Sequence, residues 1–214
     1  DRVRAAGGGR VALAGREGPA LRLDVDSELL VAEPARVALA RGAVYVDSRG
    51  SPRALVIETS QGEVTHLGTR YQVRVGPEAL VVAVRDGQVR LARDGEPALV
   101  GAGEQLELTA AGEATGVAIA TSGPAWPWAQ SIAPGPALDG LSLHDLVQWV
   151  AHETGRRAEF ASPAAEAAAR ATMLHGSVTG LAPIEALDAV MATTRLRHEV
   201  AGARIVVGIA EGAR

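Results

Sequence analysis

The chain has 214 residues, 47% of them hydrophobic, which is enough for one large core or two modest ones. Its formal net charge of −4 argues against a nucleic-acid partner, because such proteins carry a basic surplus. All 21 cationic side chains are arginine and cysteine is absent, which excludes a phosphate-binding or Schiff-base lysine, a disulfide and a cysteine metal site.

Residues 1–120 form the first predicted domain, which is all-β. From residue 10 onward, short segments of alternating polarity recur with glycine-containing turns between them. Strands this short, repeated at a spacing of roughly ten residues, indicate a sandwich, a barrel or a solenoid. The clearest predicted strands are residues 37–39, 43–46, 54–59, 63–67, 69–75, 80–84 and 88–91.

Residues 121–136 interrupt this pattern and are predicted to be a linker. Gly123-Pro124 and Pro134-Gly135-Pro136 cannot continue a strand ladder. Trp126 and Trp128 lie inside the segment, and two interpretations of them stay open. Burial of their large surface pins the linker to one domain, or the pair clamps the two domains together or contacts a partner.

Residues 137–214 form the second predicted domain, a small α/β fold. Ser142 and Asp145 make a capping box at the start of a helix, and Gly155 is the expected left-handed residue at its end. A helix followed by a strand occurs twice at an offset of 40 residues, with Leu146 matching Ala186. The other predicted elements are a strand at 157–161, a helix at 163–170, a strand at 172–178, a helix from 183, and a hairpin of 196–200 with 204–209.

Three stretches of the first domain resemble the periplasmic domain of the FecR family. They read RVALARGAVYVD (36–47), ALVIETSQGEVTHLGTRYQVRV (54–75) and VVAVRDGQVRLA (81–92). The resemblance rests on the set of turns and strands in this order, since each element alone is common.

Three stretches of the second domain resemble the short secretin/TonB N-terminal domain, abbreviated STN. They read WVAHETGRRAEF (149–160), LHGSVTGLAPIEALDAVM (174–191) and ARIVVG (203–208). A FecR domain followed by an STN domain is similar to the arrangement in FecR-type transmembrane anti-sigma-factor regulators, and the two resemblances cover nearly the whole chain.

The resemblance implies a periplasmic sensor, the C-terminal part of an inner-membrane protein of Gram-negative bacteria. Such a sensor receives a signal from the N-terminal signalling domain of a TonB-dependent outer-membrane receptor, often a siderophore receptor, and relays it to an extracytoplasmic-function sigma factor. The sequence holds neither the cytosolic segment that contacts the sigma factor nor a membrane-spanning helix. Either the chain is an excised sensor without membrane contact of its own, or the whole protein departs from the family. An assembly module of a secretin-like envelope complex is the alternative, because STN-like domains also build secretin rings.

The step Leu67-Gly68-Thr69 has two interpretations. In the structural one, Gly68 supplies a bend and Thr69 opens a strand. In the other, the family resemblance implies self-cleavage at Gly68-Thr69, where the threonine hydroxyl attacks the preceding carbonyl to give an ester that water opens. Alternation along the strand predicts an inward-facing Thr69 and places His66, the nearest candidate base, on the opposite face unless Gly68 bends the chain.

The second domain also holds the candidate partner contacts Leu174, His175 and Val178, on the strand predicted at 172–178. An exposed strand edge recruits an extended partner segment, although core positions are the simpler interpretation for Leu174 and Val178. We expect no metabolic enzyme activity, no cofactor and no metal site. The five histidines are scattered, and His144 and His152 are two helical turns apart, too far for one metal ion.

Overall fold

The computed structural model describes residues 1–13, 18–33, 35–49, 51, 54–66, 68–93 and 97–210. The chain divides into two compact units, Asp1–Gly123 and Pro124–Arg214, which we call the N-terminal and C-terminal units. Strand accounts for 45% of the described residues and helix for 17%, so the predicted mostly-β fold with a smaller α/β part is confirmed. No helix among the described residues has the length and apolar character needed to cross a membrane.

The N-terminal unit is built from strands alone in its described part. The thirteen strands found there are β1 Arg2–Arg4, β2 Val11–Leu13, β3 Ala20–Leu23, β4 Glu28–Glu33, β5 Arg36–Asp47, β6 Val56–Thr59, β7 Gly62–His66, β8 Arg70–Val75, β9 Ala79–Asp86, β10 Gln88–Ala92, β11 Ala98–Gly101, β12 Glu104–Thr109 and β13 Ala114–Ala118. They form one curled sheet with the main order β11-β10-β7-β6-β5-β8-β9-β12-β13.

Strand β5 belongs to both halves of this sheet. Its first part pairs with β4 and, in parallel, with β6. Its second part pairs antiparallel with β3 and β8. The sequence predicted two separate strands here, at 37–39 and 43–46, and the structure corrects this to one strand of 12 residues that bends in the middle.

Gly42 makes the bend of β5 possible. It has φ +83°, and a Cβ atom at this position would lie 2.5 Å from the Cα of Ser27 and 2.3 Å from its Oγ. The Ser27 hydroxyl accepts a hydrogen bond from the Ala43 N–H (2.8 Å) and donates to the Ala43 carbonyl (3.1 Å). Only glycine combines this backbone conformation with so close an approach.

The curled sheet encloses one apolar core. Alternation along each strand sends every second side chain inward, and Leu39, Val46, Ile57, Tyr71 and Val82 are among those fully buried. Residues from strands on both sides of β5 share this core, so the bend is what brings the two halves of the sheet into contact.

The C-terminal unit contains four helices and three strands in its described residues. They are α1 Pro127–Gln130, α2 Leu143–Thr154, β14 Arg157–Phe160, α3 Pro163–Ala171, α4 Pro183–Met191, β15 Leu196–Ala201 and β16 Arg204–Ile209. The strands lie in the order β14-β16-β15, with β14 parallel and β15 antiparallel to β16. The apolar faces of α2 and α4 and the inner face of the sheet form a second core.

Local signals place α2 as predicted. The Ser142 hydroxyl accepts a hydrogen bond from the Asp145 N–H (3.1 Å), and Gly155 ends the helix with φ +67°. The repeated helix-then-strand unit is also present, since α2 leads into β14 and α4 into β15. The short helix α1 lies inside the segment predicted to be a linker, where Trp126 is fully buried and Trp128 is half-buried.

The predicted strand at residues 172–178 is wrong. The segment has a single bridge, between Met173 and Ser142, flanked by the hydrogen bonds Leu143 N–H to Thr172 O (2.8 Å) and Leu174 N–H to Leu141 O (2.9 Å). Gly176 then turns the chain with φ +102° while its N–H is bound by the Asp139 carboxylate. A ladder cannot continue through such a turn, so the segment is a loop beside α4.

We predict that Gly42→Ala lowers the free energy of unfolding by at least about 2 kcal/mol, because the new methyl group collides with backbone and forces a disfavoured φ. Gly116→Ala is the matched control, since no atom lies within 4 Å of the added carbon. It should change stability by no more than about 0.5 kcal/mol. Urea unfolding curves measure both, and equal stabilities would contradict the role given to Gly42.

Candidate functional site

The Gly68-Thr69 junction lies where the chain leaves one half of the sheet for the other. β7 pairs with β6 and β10, whereas β8 pairs with β5 and β9. Gly68 carries the change of direction with φ +70° and is exposed. Thr69 is 3% exposed, which confirms that its side chain points inward. Leu67, the first residue of the step, lies outside the described residues.

Every polar group of Thr69 is held by a hydrogen bond. Its N–H donates to the Ser48 hydroxyl (2.6 Å), and that hydroxyl donates back to the Thr69 carbonyl (2.7 Å). The Ser48 N–H donates to the same carbonyl (3.1 Å). The Thr69 hydroxyl donates to the Gln88 carbonyl (2.7 Å). The nucleophile proposed by resemblance is therefore fixed in one orientation.

Gly87 packs directly against the peptide bond of the junction. A Cβ atom on Gly87 would lie 2.4 Å from the Gly68 carbonyl oxygen and 3.1 Å from both Cα and Oγ1 of Thr69. Its φ of +77° is again one that favours glycine. The register between β8 and β9 also shifts between Arg70 and Tyr71, directly after the junction. Bulges of this kind redirect side chains and concentrate beside functional sites.

His66 is buried and lies three residues before Thr69 in the sequence. One nitrogen of its ring already accepts a hydrogen bond from backbone. Its Nε2 accepts a hydrogen bond from the Leu55 N–H (2.8 Å), and its Nδ1 has no partner among the described residues. The ring lies 6.0 Å from that of Tyr71, and burial lowers the pKa of His66. Continuous alternation put His66 and Thr69 on opposite faces, but both are buried because Gly68 bends the chain between them.

The candidate partner contacts fall into two kinds. Leu174 and Val178 are buried in the core of the C-terminal unit, whereas His175 is exposed and its Nδ1 lies 3.5 Å from an Asp139 carboxylate oxygen. All three line a cleft of about 400 Å³ between the loop at 172–178 and α4. Met173, 52% exposed, lines the same cleft and was not predicted as a contact.

Ser48, Gln88 and Gly87 are the site residues that the sequence did not predict. Ser48 is 21 residues from Thr69 and Gln88 is 19, so no local pattern links them. Both Gly87 and Gln88 reach the junction through the turn that joins the strands predicted at 80–84 and 88–91. The signal available in the sequence was the pair of turn glycines, Gly68 and Gly87. The close approach of Gly87 to the Gly68 carbonyl requires a residue without a side chain.

Comparison with known proteins identifies the N-terminal unit. Residues 1–90 match the family model described as FecR protein, so this part of the chain is a FecR domain. No curated protein matches it significantly.

Solved structures resemble the chain over nearly its full length. Two are crystal structures of a proposed anti-sigma factor from Parabacteroides distasonis, at 2.50 Å and 1.65 Å resolution. Each has a TM-score of 0.54 and 16% identity, and the superpositions cover 98% and 97% of this chain and 98% of each of theirs. At this identity the likeness establishes the fold.

We predict that His66 makes folding sensitive to acid. Because burial lowers its pKa in the folded state, the unfolded chain takes up a proton first as the pH falls below about 6.5. Stability should therefore fall with pH in that window. His66→Gln keeps an acceptor for the Leu55 N–H but cannot titrate, so its stability should depend less on pH between 7 and 5.

The control for this prediction is Ser27→Ala, which removes a buried hydroxyl of the same unit but no titratable group. It should lower stability without changing the pH dependence of unfolding. Urea midpoints over a pH series give the slopes, and a His66→Gln slope equal to that of wild type would contradict the prediction.

Proposed function

We propose that this chain is the periplasmic sensor region of a FecR-type transmembrane regulator. The FecR domain over residues 1–90 is the observation that carries the proposal. The likeness of the whole chain to a proposed anti-sigma factor supports it, because both units are included in the superposition. The role is regulatory, with binding rather than metabolic catalysis as its activity.

The C-terminal unit, in this proposal, is an STN-like domain that receives the signal. Its two helix-then-strand units and its separate core support a recognition domain joined to the all-β FecR domain. The partner is the N-terminal signalling domain of a TonB-dependent outer-membrane receptor. In regulators of this type, a cytosolic segment contacts the extracytoplasmic-function sigma factor.

The cleft between the loop at 172–178 and α4 is the proposed contact surface. It presents exposed Met173 and His175 above the buried Leu174 and Val178. The unbranched, flexible side chain of methionine adapts well to a partner surface. Since Leu174 and Val178 belong to the core, they support the cleft and the exposed pair makes the contact.

We predict that Met173→Asp weakens binding of the receptor signalling domain at least about tenfold, because it places a charge in the apolar contact. Leu99→Asp is the control, since Leu99 is equally exposed, at 58%, but lies on β11 of the other unit. It should bind like wild type. Calorimetric titration of the full chain measures both, and identical affinities would remove the cleft from the contact.

Absence of wild-type binding at high micromolar concentration would contradict the sensor role itself. If the chain instead associates with itself in a concentration-dependent way, the secretin-like assembly role would be favoured. Sedimentation analysis of the same samples separates these two results.

Self-cleavage at Gly68-Thr69 is the second part of the proposal. The hydroxyl of Thr69 is buried and held in place by the Gln88 carbonyl, while Gly68, on the other side of the bond, is an exposed residue. Glycine before the threonine leaves the approach to the carbonyl open and tolerates distortion. Attack gives a Gly68 ester of the threonine hydroxyl and a free amine, and water then hydrolyses the ester.

Cleavage would not separate the two pieces. β5, before the junction, pairs with β8 after it over six residue pairs, and β7 pairs with β10. Side chains from both pieces fill the same core. The products should therefore remain one folded unit, with residues 1–68 and 69–214 held together by hydrogen bonds and apolar packing.

We predict that Thr69→Ala abolishes the split and that Thr69→Ser retains part of it, because only the hydroxyl is needed for attack. Intact mass measurement under denaturing conditions should show two wild-type pieces, while gel filtration of the same sample gives one species. If wild type stays one chain after prolonged incubation and Thr69→Ala only lowers stability, the junction is a turn into a strand and nothing more.

A further inference from the structure

Ser48 occupies a special position at the Gly68-Thr69 junction. It directly follows β5, is 3% exposed, and its Oγ lies 2.6 Å from the nitrogen of the bond that self-cleavage would break. The same hydroxyl donates to the Thr69 carbonyl at 2.7 Å. A side chain with both a hydrogen-bond acceptor and a transferable proton therefore touches the leaving group of the proposed reaction.

We propose that Ser48 positions the Gly68-Thr69 peptide bond and protonates its nitrogen as the bond breaks. This inference rests on the proposed self-cleavage. In the folded chain the amide N–H donates to Ser48, because the nitrogen lone pair is delocalised into the carbonyl. Once the Thr69 hydroxyl has added to the Gly68 carbonyl carbon, this delocalisation ends and the nitrogen becomes basic.

The steps conserve atoms and protons. The new bond joins Thr69 Oγ1 to the Gly68 carbonyl carbon, and the hydroxyl proton leaves to water. The Ser48 hydroxyl gives its proton to the nitrogen, the carbon–nitrogen bond breaks, and Ser48 regains a proton from water. The products of this step are the ester and the Thr69 amine, and hydrolysis then gives the Gly68 carboxylate and a free threonine hydroxyl.

His66, the candidate that sequence alternation suggested, does not fit this role. Its Nε2 accepts the Leu55 N–H, which leaves the ring proton on Nδ1, and neither ring nitrogen forms a hydrogen bond with Thr69 among the described residues. Gln88 offers a carbonyl oxygen, which orients the Thr69 hydroxyl but cannot donate. Among the described residues that hydrogen-bond to Thr69, Ser48 alone combines a donor with contact to the nitrogen.

Ser27 is a matched control within the same chain. Its hydroxyl also accepts from a backbone N–H and donates to the carbonyl of one residue, Ala43, and it is 1% exposed. Loss of either hydroxyl leaves a buried N–H and carbonyl without this partner, so both variants should lose similar stability. Of these two serines, Ser48 is the one that contacts the Gly68-Thr69 junction.

The test measures the rate of self-cleavage of the full chain by intact mass for wild type, Ser48→Ala, Ser48→Cys and Ser27→Ala, with thermal unfolding of each. We expect Ser48→Ala to slow the split about 100-fold, the scale of a positioned proton donor. Ser48→Cys should recover part of the rate, and Ser27→Ala should cleave like wild type despite its stability loss.

Hydroxylamine separates the two chemical steps, because it opens esters but not amides at neutral pH. If Ser48 acts in ester formation, hydroxylamine leaves Ser48→Ala slow, whereas rescue would assign Ser48 to ester hydrolysis and overturn the proposal. Equal slowing by Ser27→Ala, or a Ser48→Ala rate within about threefold of wild type, would overturn it as well. A wild type that never cleaves removes self-cleavage and the role of Ser48 together, while leaving the sensor role intact.

Discussion

The bend of β5 at Gly42 is the constraint on which the N-terminal unit depends. One half of this strand organises β4 and β6 and the other organises β3 and β8. The Ser27 hydroxyl holds both backbone groups of Ala43, and a side chain at position 42 would have to occupy the same space as Ser27. A single tight contact therefore determines how two groups of strands come to enclose one core.

The Gly68-Thr69 junction lies at the opposite end of the second half of β5 from that bend. Ser48 comes directly after β5, and β8 is the strand that pairs with the second half of β5. The same two devices occur at both places: a serine hydroxyl that satisfies the N–H and carbonyl of one residue on another strand, and a glycine of positive φ pressed against backbone. At Gly42 the arrangement supports the fold, and at Gly87 it surrounds the bond that we propose to be cut.

Local signals explain why α2, α3 and α4, and the strands β5 to β10 and β14 to β16, could be predicted from the sequence. Ser142 and Gly155 mark the ends of α2 by their own backbone chemistry, and no distant residue is needed. The failures have non-local causes. Gly42 looked like a break between strands, but its contact with Ser27 keeps β5 continuous. The loop at 172–178 has the composition of a strand, but among the described residues it pairs with other backbone only around the bridge at Met173.

The candidate site shows the same division between local and distant information. The Gly68-Thr69 step was visible in the sequence, together with the inward direction of Thr69. Its partners Ser48 and Gln88 were not, because they meet Thr69 only after β5, β8 and β10 have assembled. Strand periodicity also failed at Gly68, where a left-handed residue ends the alternation and leaves His66 and Thr69 both inside.

The position of β13 has a mechanical consequence. Among the described strands β13 pairs with β12 alone, and it continues into the segment where the Thr121 carbonyl accepts a hydrogen bond from Arg85 (2.9 Å). Tension applied from the C-terminal side would peel β13 from its Ala118 end, one pair at a time. Nearer the middle of the sheet, β8 is paired with β5 on one side and with β9 on the other. A chain broken between Gly68 and Thr69 has no covalent path across the junction, so the hydrogen bonds of β5 with β8 and of β7 with β10 would carry the whole load.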